Sequence, residues 1–199
     1  MRVLIIGGTG TIGQSVVKEL SLKHEIIIAA HNQGDLRVDI ADKNSIERMY
    51  QDVGKLDAVI STTGKVHFGV FPEITEEQFA VGLNNKLMGQ VNLVSVGLNY
   101  INDQGSFTLT SGILNRDPIY LGSSAAMVNG AIDGFVKSAA IEMPRGIRIN
   151  AVSPTVVAES MDKYADFFPG FVSVPAIIVA QAYVKSVEGR QTGQVYCVI

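Results

Sequence analysis

A single doubly wound α/β domain, a parallel β-sheet flanked by helices, is the fold this sequence predicts, and three observations predict it. Short apolar runs of strand length alternate with segments of helical spacing along all 199 residues. The runs are apolar at nearly every position, as strands covered on both faces by helices are. A glycine-rich turn closes the first run and opens the first helical segment.

The elements follow in order. Strands are expected over RVLIIG (2–7), EIIIAA (25–30), LDAVIS (56–61), SFTLTS (106–111), IRINAVS (147–153) and GQVYCVI (193–199), with DLRVDI (35–40) a short seventh. Helical spacing or helix-start signals occupy 11–22, 43–53, 75–99, 122–142 and 174–187. Asp42 opens a helix that ends near Gly54, and Thr75 followed by Gln78 is a capping-box pattern. Too few residues separate the second strand from 35–40 for the usual intervening helix. The segment MDKYADFFPGFVSVP (161–175) is the least regular, readable as a surface loop or as a flap over a substrate. No linker or internal repeat divides the chain.

Composition narrows the function classes. Charged residues make up 18% of the chain and hydrophobic ones 47%, which argues against disorder. The net charge of -3 is dispersed, without a basic run to neutralise a phosphate backbone, so no nucleic-acid partner is expected. No apolar run is long enough to cross a bilayer and the N-terminus lacks a signal-peptide pattern, so no membrane partner is expected and the cytoplasm is the expected location. The lone Cys197 excludes an internal disulfide and any multi-cysteine metal site, and reads as a small buried hydrophobe in the last strand. No metal is expected.

IGGTGTIG places Gly7, Gly10 and Gly13 at GxxGxxG spacing across the first strand-to-helix junction. The first glycine permits a tight turn, the second lets backbone N–H groups approach an anion, and the third allows close helix–strand contact. This is a Rossmann-like signature. The turn, together with DAVISTTG (57–64), GSFTLTS (105–111), GIRINAVSPT (146–155) and TGQVYCVI (192–199), all in order, resembles the short-chain dehydrogenase/reductase family over nearly the whole chain.

The resemblance implies NAD(P) binding by Gly7, Thr9, Gly10, Thr11, Ile12 and Gly13 at the phosphate turn, by Thr62, Thr63 and Gly64 after the third strand, and by Pro154. Asp39 and Ile40 would contact the adenine. Where an NAD-selective site carries an acidic residue, this chain has His31 and Asn32. Neither repels a 2'-phosphate and both can hydrogen-bond one, so NADP is expected, with NAD the alternative; a plain surface-loop role for His31 stays open.

In this family a tyrosine handles the proton of the substrate oxygen, a lysine four residues later lowers the tyrosine's pKa, a serine binds the oxygen, and an asparagine on the preceding helix supports a water. Ser111 fits the serine. The helix NGAIDGFVKSAAIEM keeps the family's register through Gly134, Phe135, Lys137, Ser138, Ala140 and Glu142, which puts Ala125 at the tyrosine and Asn129 at the lysine. Both defining groups are absent. The candidate substitutes are Lys86, three residues before Gly89 where the family has its asparagine, and Tyr120 in the preceding loop. Each has a plain alternative, a solvated helix lysine and an aromatic packed in its loop. Lys137 aligns with a surface position, and His67 lies on a connection that can border the crevice.

The expected activity is therefore hydride transfer between NAD(P) and a small-molecule carbonyl or alcohol, with catalytic candidates Ser111, Lys86 and Tyr120. The rival is a catalytically inactive NAD(P)H-binding sensor or interaction protein. The resemblance further implies a homo-oligomer through helices 75–99 and 122–142, where Gly89, Ala126, Gly130 and Ala139 permit close approach.

Overall fold

The computed structural model describes residues 1–199. Seven parallel strands, β1 (Arg2–Ile6), β2 (Glu25–Ala30), β3 (Leu36–Arg37), β4 (Leu56–Ser61), β5 (Ile101–Thr110), β6 (Arg148–Pro154) and β7 (Val195–Val198), form one sheet in the order β3-β2-β1-β4-β5-β6-β7. The order reverses between β1 and β4, and the carboxyl ends of strands at such a switch point open a ligand crevice.

Alternate residues of β1 feed two cores. Leu4 and Ile6 join α2 (Lys43–Val53), α4 (Met88–Gly97) and α5 (Ser123–Ala139) through Ile46, Leu93 and Val128. Val3 and Ile5 join α1 (Thr11–Leu20) and α7 (Ala176–Glu188) through Val16, Val179 and Tyr183. The sheet is thus covered on both faces. The central strands are buried except towards their amino ends, whereas β2, next to the edge, and the edge strand β7 remain partly exposed. Cys197 is exposed on that edge strand, correcting the expectation of a buried hydrophobe.

The 31–35 connection is a tight turn in place of a helix. Asp35 accepts from the Ile28 N–H and its own N–H donates to the Ile28 carbonyl, so β3 shrinks to two residues. β5 begins five residues before the expected start because its pairing with β4 carries an irregularity between Leu56 and Ala58. Residues 161–175 hold a single-turn helix, α6 (Met161–Tyr164), followed by a 3-10 turn.

The expected long helix over 75–99 is present from Glu76 to Gly97 but is not α-helical throughout. It runs as α3 (Glu76–Val81), a π-helical stretch Gly82–Leu87, and α4. A π-turn adds a residue to the helical repeat and turns the side chains within it; here the displaced segment carries Asn85 and Lys86. Gln90 supports it, donating to the Lys86 carbonyl at 3.1 Å and bonding both backbone groups of Thr110 at 2.9 and 2.8 Å.

The Thr75 capping box is complete, with the Thr75 hydroxyl accepting from Gln78 N–H and the Gln78 carboxamide accepting from Thr75 N–H. Thr75→Ala is expected to cost about 1 kcal/mol in urea unfolding, since a lost N-cap leaves helix N–H groups unpaired.

Candidate active site

Glycine turn and adjoining cavity. The chain leaves β1 through Gly7, whose φ of +85° reverses its direction and whose carbonyl accepts from Gly10 N–H. A Cβ on Gly13 would collide with that carbonyl, so the absence of a side chain lets α1 pack against the turn. Gly10 caps α1 without a side chain, and the first turn carries no acidic residue. Its free N–H groups and positive dipole end favour an anion.

A cavity of about 540 Å³ opens beside this turn. Gly7, Thr9, Gly10, His31, Asn32, Asp39, Ile40, Thr62 and Thr63 line it, nine of the positions named from the sequence. Thr11 lies at a neighbouring open hollow with Gln14 and Lys18. Ile12 is partly buried against the α1–α7 core. Pro154 is buried at the end of β6. Gly64 (φ +141°) lies against the Lys86 stem, which a Cβ would strike. Sequence reading missed Gln33, Lys65 and Asn85, which also line the cavity. Asn85 accepts from the Lys65 N–H at 2.7 Å, pinning the segment after β4 to the π-helical turn. Its only sequence signal was adjacency to Lys86.

Lysine, asparagine and serine. The Lys86 ammonium donates to the Ser111 carbonyl and to Asn129 Oδ1, each at 2.8 Å. Ser111 follows β5 directly and is 2% exposed, and its hydroxyl has no hydrogen-bond partner in the protein. The buried Ser124 hydroxyl on α5 is unpartnered too. Unpaired buried hydroxyls are costly and call for a ligand or water. The two helices thus place a lysine and an asparagine in direct contact, at positions where the family resemblance expects an asparagine and a lysine respectively.

Desolvation by the surrounding protein lowers the Lys86 pKa from 10.5 to about 8, while Asp133 pulls it upward. Asp133 lies one helical turn beyond Asn129, accepts from Asn115 at 2.6 Å and pairs loosely with Arg116 at 3.9 Å. Arg116 also donates to Ser153 Oγ. Lys137, by contrast, is exposed.

Tyr120 is not drawn into this cluster. It is 77% exposed and lines a separate hollow with Phe167 and Phe171. Ala125 is 2% exposed within an apolar cluster with Ile113 and Leu114, so no hydroxyl stands at the position of the family's tyrosine. His67 is half-buried on the loop after β4.

A lowered lysine pKa has a signature in stability. Above pH 8 the folded chain releases the Lys86 proton while the unfolded chain holds it up to about 10.5, so Lys86 favours folding increasingly as pH rises through that interval. The stability of wild type relative to Lys86→Met is therefore expected to rise between pH 8 and 10 by up to about 1.4 kcal/mol per pH unit. Urea unfolding of both proteins at several pH values measures this.

Similar proteins. Residues 13–198 match the protein family described as enoyl-(acyl carrier protein) reductase. The crystal structure of the protein lin1944 from Listeria innocua superposes with a TM-score of 0.99 at 54% identity, covering 100% of both chains. A small-chain dehydrogenase crystallised with NADPH superposes with a TM-score of 0.87 at 28% identity, covering 100% of this chain and 96% of that one. L-xylulose reductase from Homo sapiens is 29% identical over 178 residues, 80% of this chain and 73% of its own length.

Proposed function

This chain belongs to the short-chain dehydrogenase/reductase family, and from that premise we propose that it is an NAD(P)-dependent oxidoreductase that uses Lys86 in place of the family's tyrosine. The observation that carries this is the Lys86 ammonium, held by Ser111 O and Asn129 Oδ1 beside an unpartnered serine hydroxyl.

The residues present fit a nicotinamide dinucleotide. The glycine turn, the uncapped α1 terminus and the adjoining 540 Å³ cavity offer backbone donors for the phosphates, and Asp39 and Ile40 line the same cavity, where they would meet the adenine. When bound, the cofactor supplies or accepts the hydride. The protein must orient the substrate and handle one proton. In the reducing direction Ser111 Oγ donates a hydrogen bond to the carbonyl oxygen, and Lys86, an acid with a pKa of about 8, gives that oxygen its proton. Ser111 O and Asn129 Oδ1 fix the ammonium, and Asp133 keeps it from losing its proton too readily.

NADP is the favoured cofactor. His31 and Asn32 are exposed at the cavity edge, joined by a 2.8 Å hydrogen bond, and they occupy the strand-end positions where an NAD-selective site carries an acidic residue. The substrate is a small carbonyl or alcohol. Met88 and Met127, each more than 40% exposed on α4 and α5, support homo-oligomer formation through those helices. No helix is long and apolar enough to cross a membrane, and a cytoplasmic location accords with the lone unpaired thiol.

A second reading, an inactive NADPH-binding sensor, is favoured by the buried Ala125. Fluorescence titration with NADPH and NADH, then single-turnover oxidation of bound NADPH over a carbonyl panel, separates the two. NADPH binding at least about tenfold tighter than NADH, with oxidation by at least one carbonyl, is expected; tight binding without any oxidation selects the sensor.

A further inference from the structure

Two loops meet beside the N-terminus of α5. Residues 118–121 lie against residues 166–171 across a hollow of about 430 Å³, within the size range of small-molecule pockets. Pro118, Tyr120, Phe167, Pro169 and Phe171 line it, and Asp166 is its one charged lining residue. Ile119 and Phe171 belong both to this wall and to the buried cluster around Ala125, so the wall of the hollow packs on the turn of α5 that carries Ser124. Phe168 meets Phe171 edge-on at 5.2 Å, and Phe68 meets Phe167 at 6.0 Å. The Gly69 N–H donates to the Leu121 carbonyl, tying the loop after β4 to the same wall.

Building on the oxidoreductase reading, we propose that the substrate is an uncharged aryl carbonyl whose ring seats in this hollow, and that Tyr120 is a specificity-determining residue acting through its ring. An exposed tyrosine ring facing phenylalanines and prolines offers flat apolar contact and edge-on partners for another ring. A sugar carbonyl carries hydroxyls along its whole length, and burying them without partners is unfavourable; the hollow's lining side chains offer only Asp166 and the Tyr120 hydroxyl. Asp166 opposes aryl carboxylates. The tyrosine hydroxyl lies far out on an exposed side chain, whereas the proton source of the reaction is Lys86.

Calorimetry with 2-acetonaphthone on NADP-saturated protein reads the seat without chemistry, and NADPH oxidation reads turnover. Wild type and Tyr120→Phe are expected to bind the ketone alike and to turn it over alike, and Tyr120→Ala to bind it about 3- to 10-fold more weakly. Equal losses in Tyr120→Phe and Tyr120→Ala would assign the effect to the hydroxyl and overturn the ring's role. Oxidation of NADPH by L-xylulose, with no binding of the naphthyl ketone, overturns the substrate class and leaves the oxidoreductase reading in place. Ketone binding that weakens in Tyr120→Ala, without oxidation of NADPH by any carbonyl, upholds the aryl seat and removes the oxidoreductase reading.

Discussion

Lys86→Met is expected to slow single-turnover oxidation of NADPH by a carbonyl roughly 10²- to 10⁴-fold, the usual cost of losing a positioned general acid. NADPH affinity is expected to stay within about tenfold, or about 1.4 kcal/mol, because the phosphate turn and the cavity beside His31 do not depend on this side chain. Methionine keeps the length and apolar stem that crosses Gly64. It leaves the Ser111 carbonyl and Asn129 Oδ1 without their donor, so thermal unfolding must accompany the kinetics. Lys86→Arg supplies the complementary control. A guanidinium restores a positive charge but holds its proton far above pH 8, so rescue by arginine would reduce Lys86 to an electrostatic anchor.

The second large effect is expected at the phosphate turn. Gly13→Val places a branched side chain where even a Cβ would overlap the Gly7 carbonyl. Either α1 moves away from the turn or the turn opens; both disperse the N–H groups of the first helical turn. Loss of detectable NADPH binding is expected, with a stability loss of about 3 kcal/mol, the upper part of the overpacking range. Gly134→Ala is the matched contrast, since an added Cβ there meets nothing within 4 Å. Alanine's helix preference should make it neutral or stabilising by up to about 1 kcal/mol, with binding unchanged in the same titration.

The sheet, its helices and the cavity beside the glycine turn were legible in the sequence because local signals and packing agree there. VLII is apolar on both faces and lies between two helix layers; Gly7 and Gly13 meet steric demands that only glycine satisfies. The candidate chemical site was half legible. Register on NGAIDGFVKSAAIEM exposed the substitutions at 125 and 129, and distance from Gly89 pointed to Lys86. The 2.8 Å contact between Lys86 and Asn129 was not legible, because it depends on a π-helical stretch that periodicity at 3.6 residues cannot reveal. Tyr120 shows the opposite limit. Proximity in sequence to Ala125 brought it under consideration, but its loop turns outward and leaves the side chain 77% exposed. Cys197 was misread because burial follows place in the sheet, and β7 is an edge strand.

The central claim is that the Lys86 ammonium supplies the proton. It is tested most directly by the pH dependence of single-turnover NADPH oxidation, using the faster of 2-acetonaphthone and L-xylulose. The acid is present below its pKa and lost above it, so the rate should be level below about pH 8 and fall tenfold per unit at higher pH. A rate that stays level to pH 10, or the same fall in Lys86→Met, would contradict it.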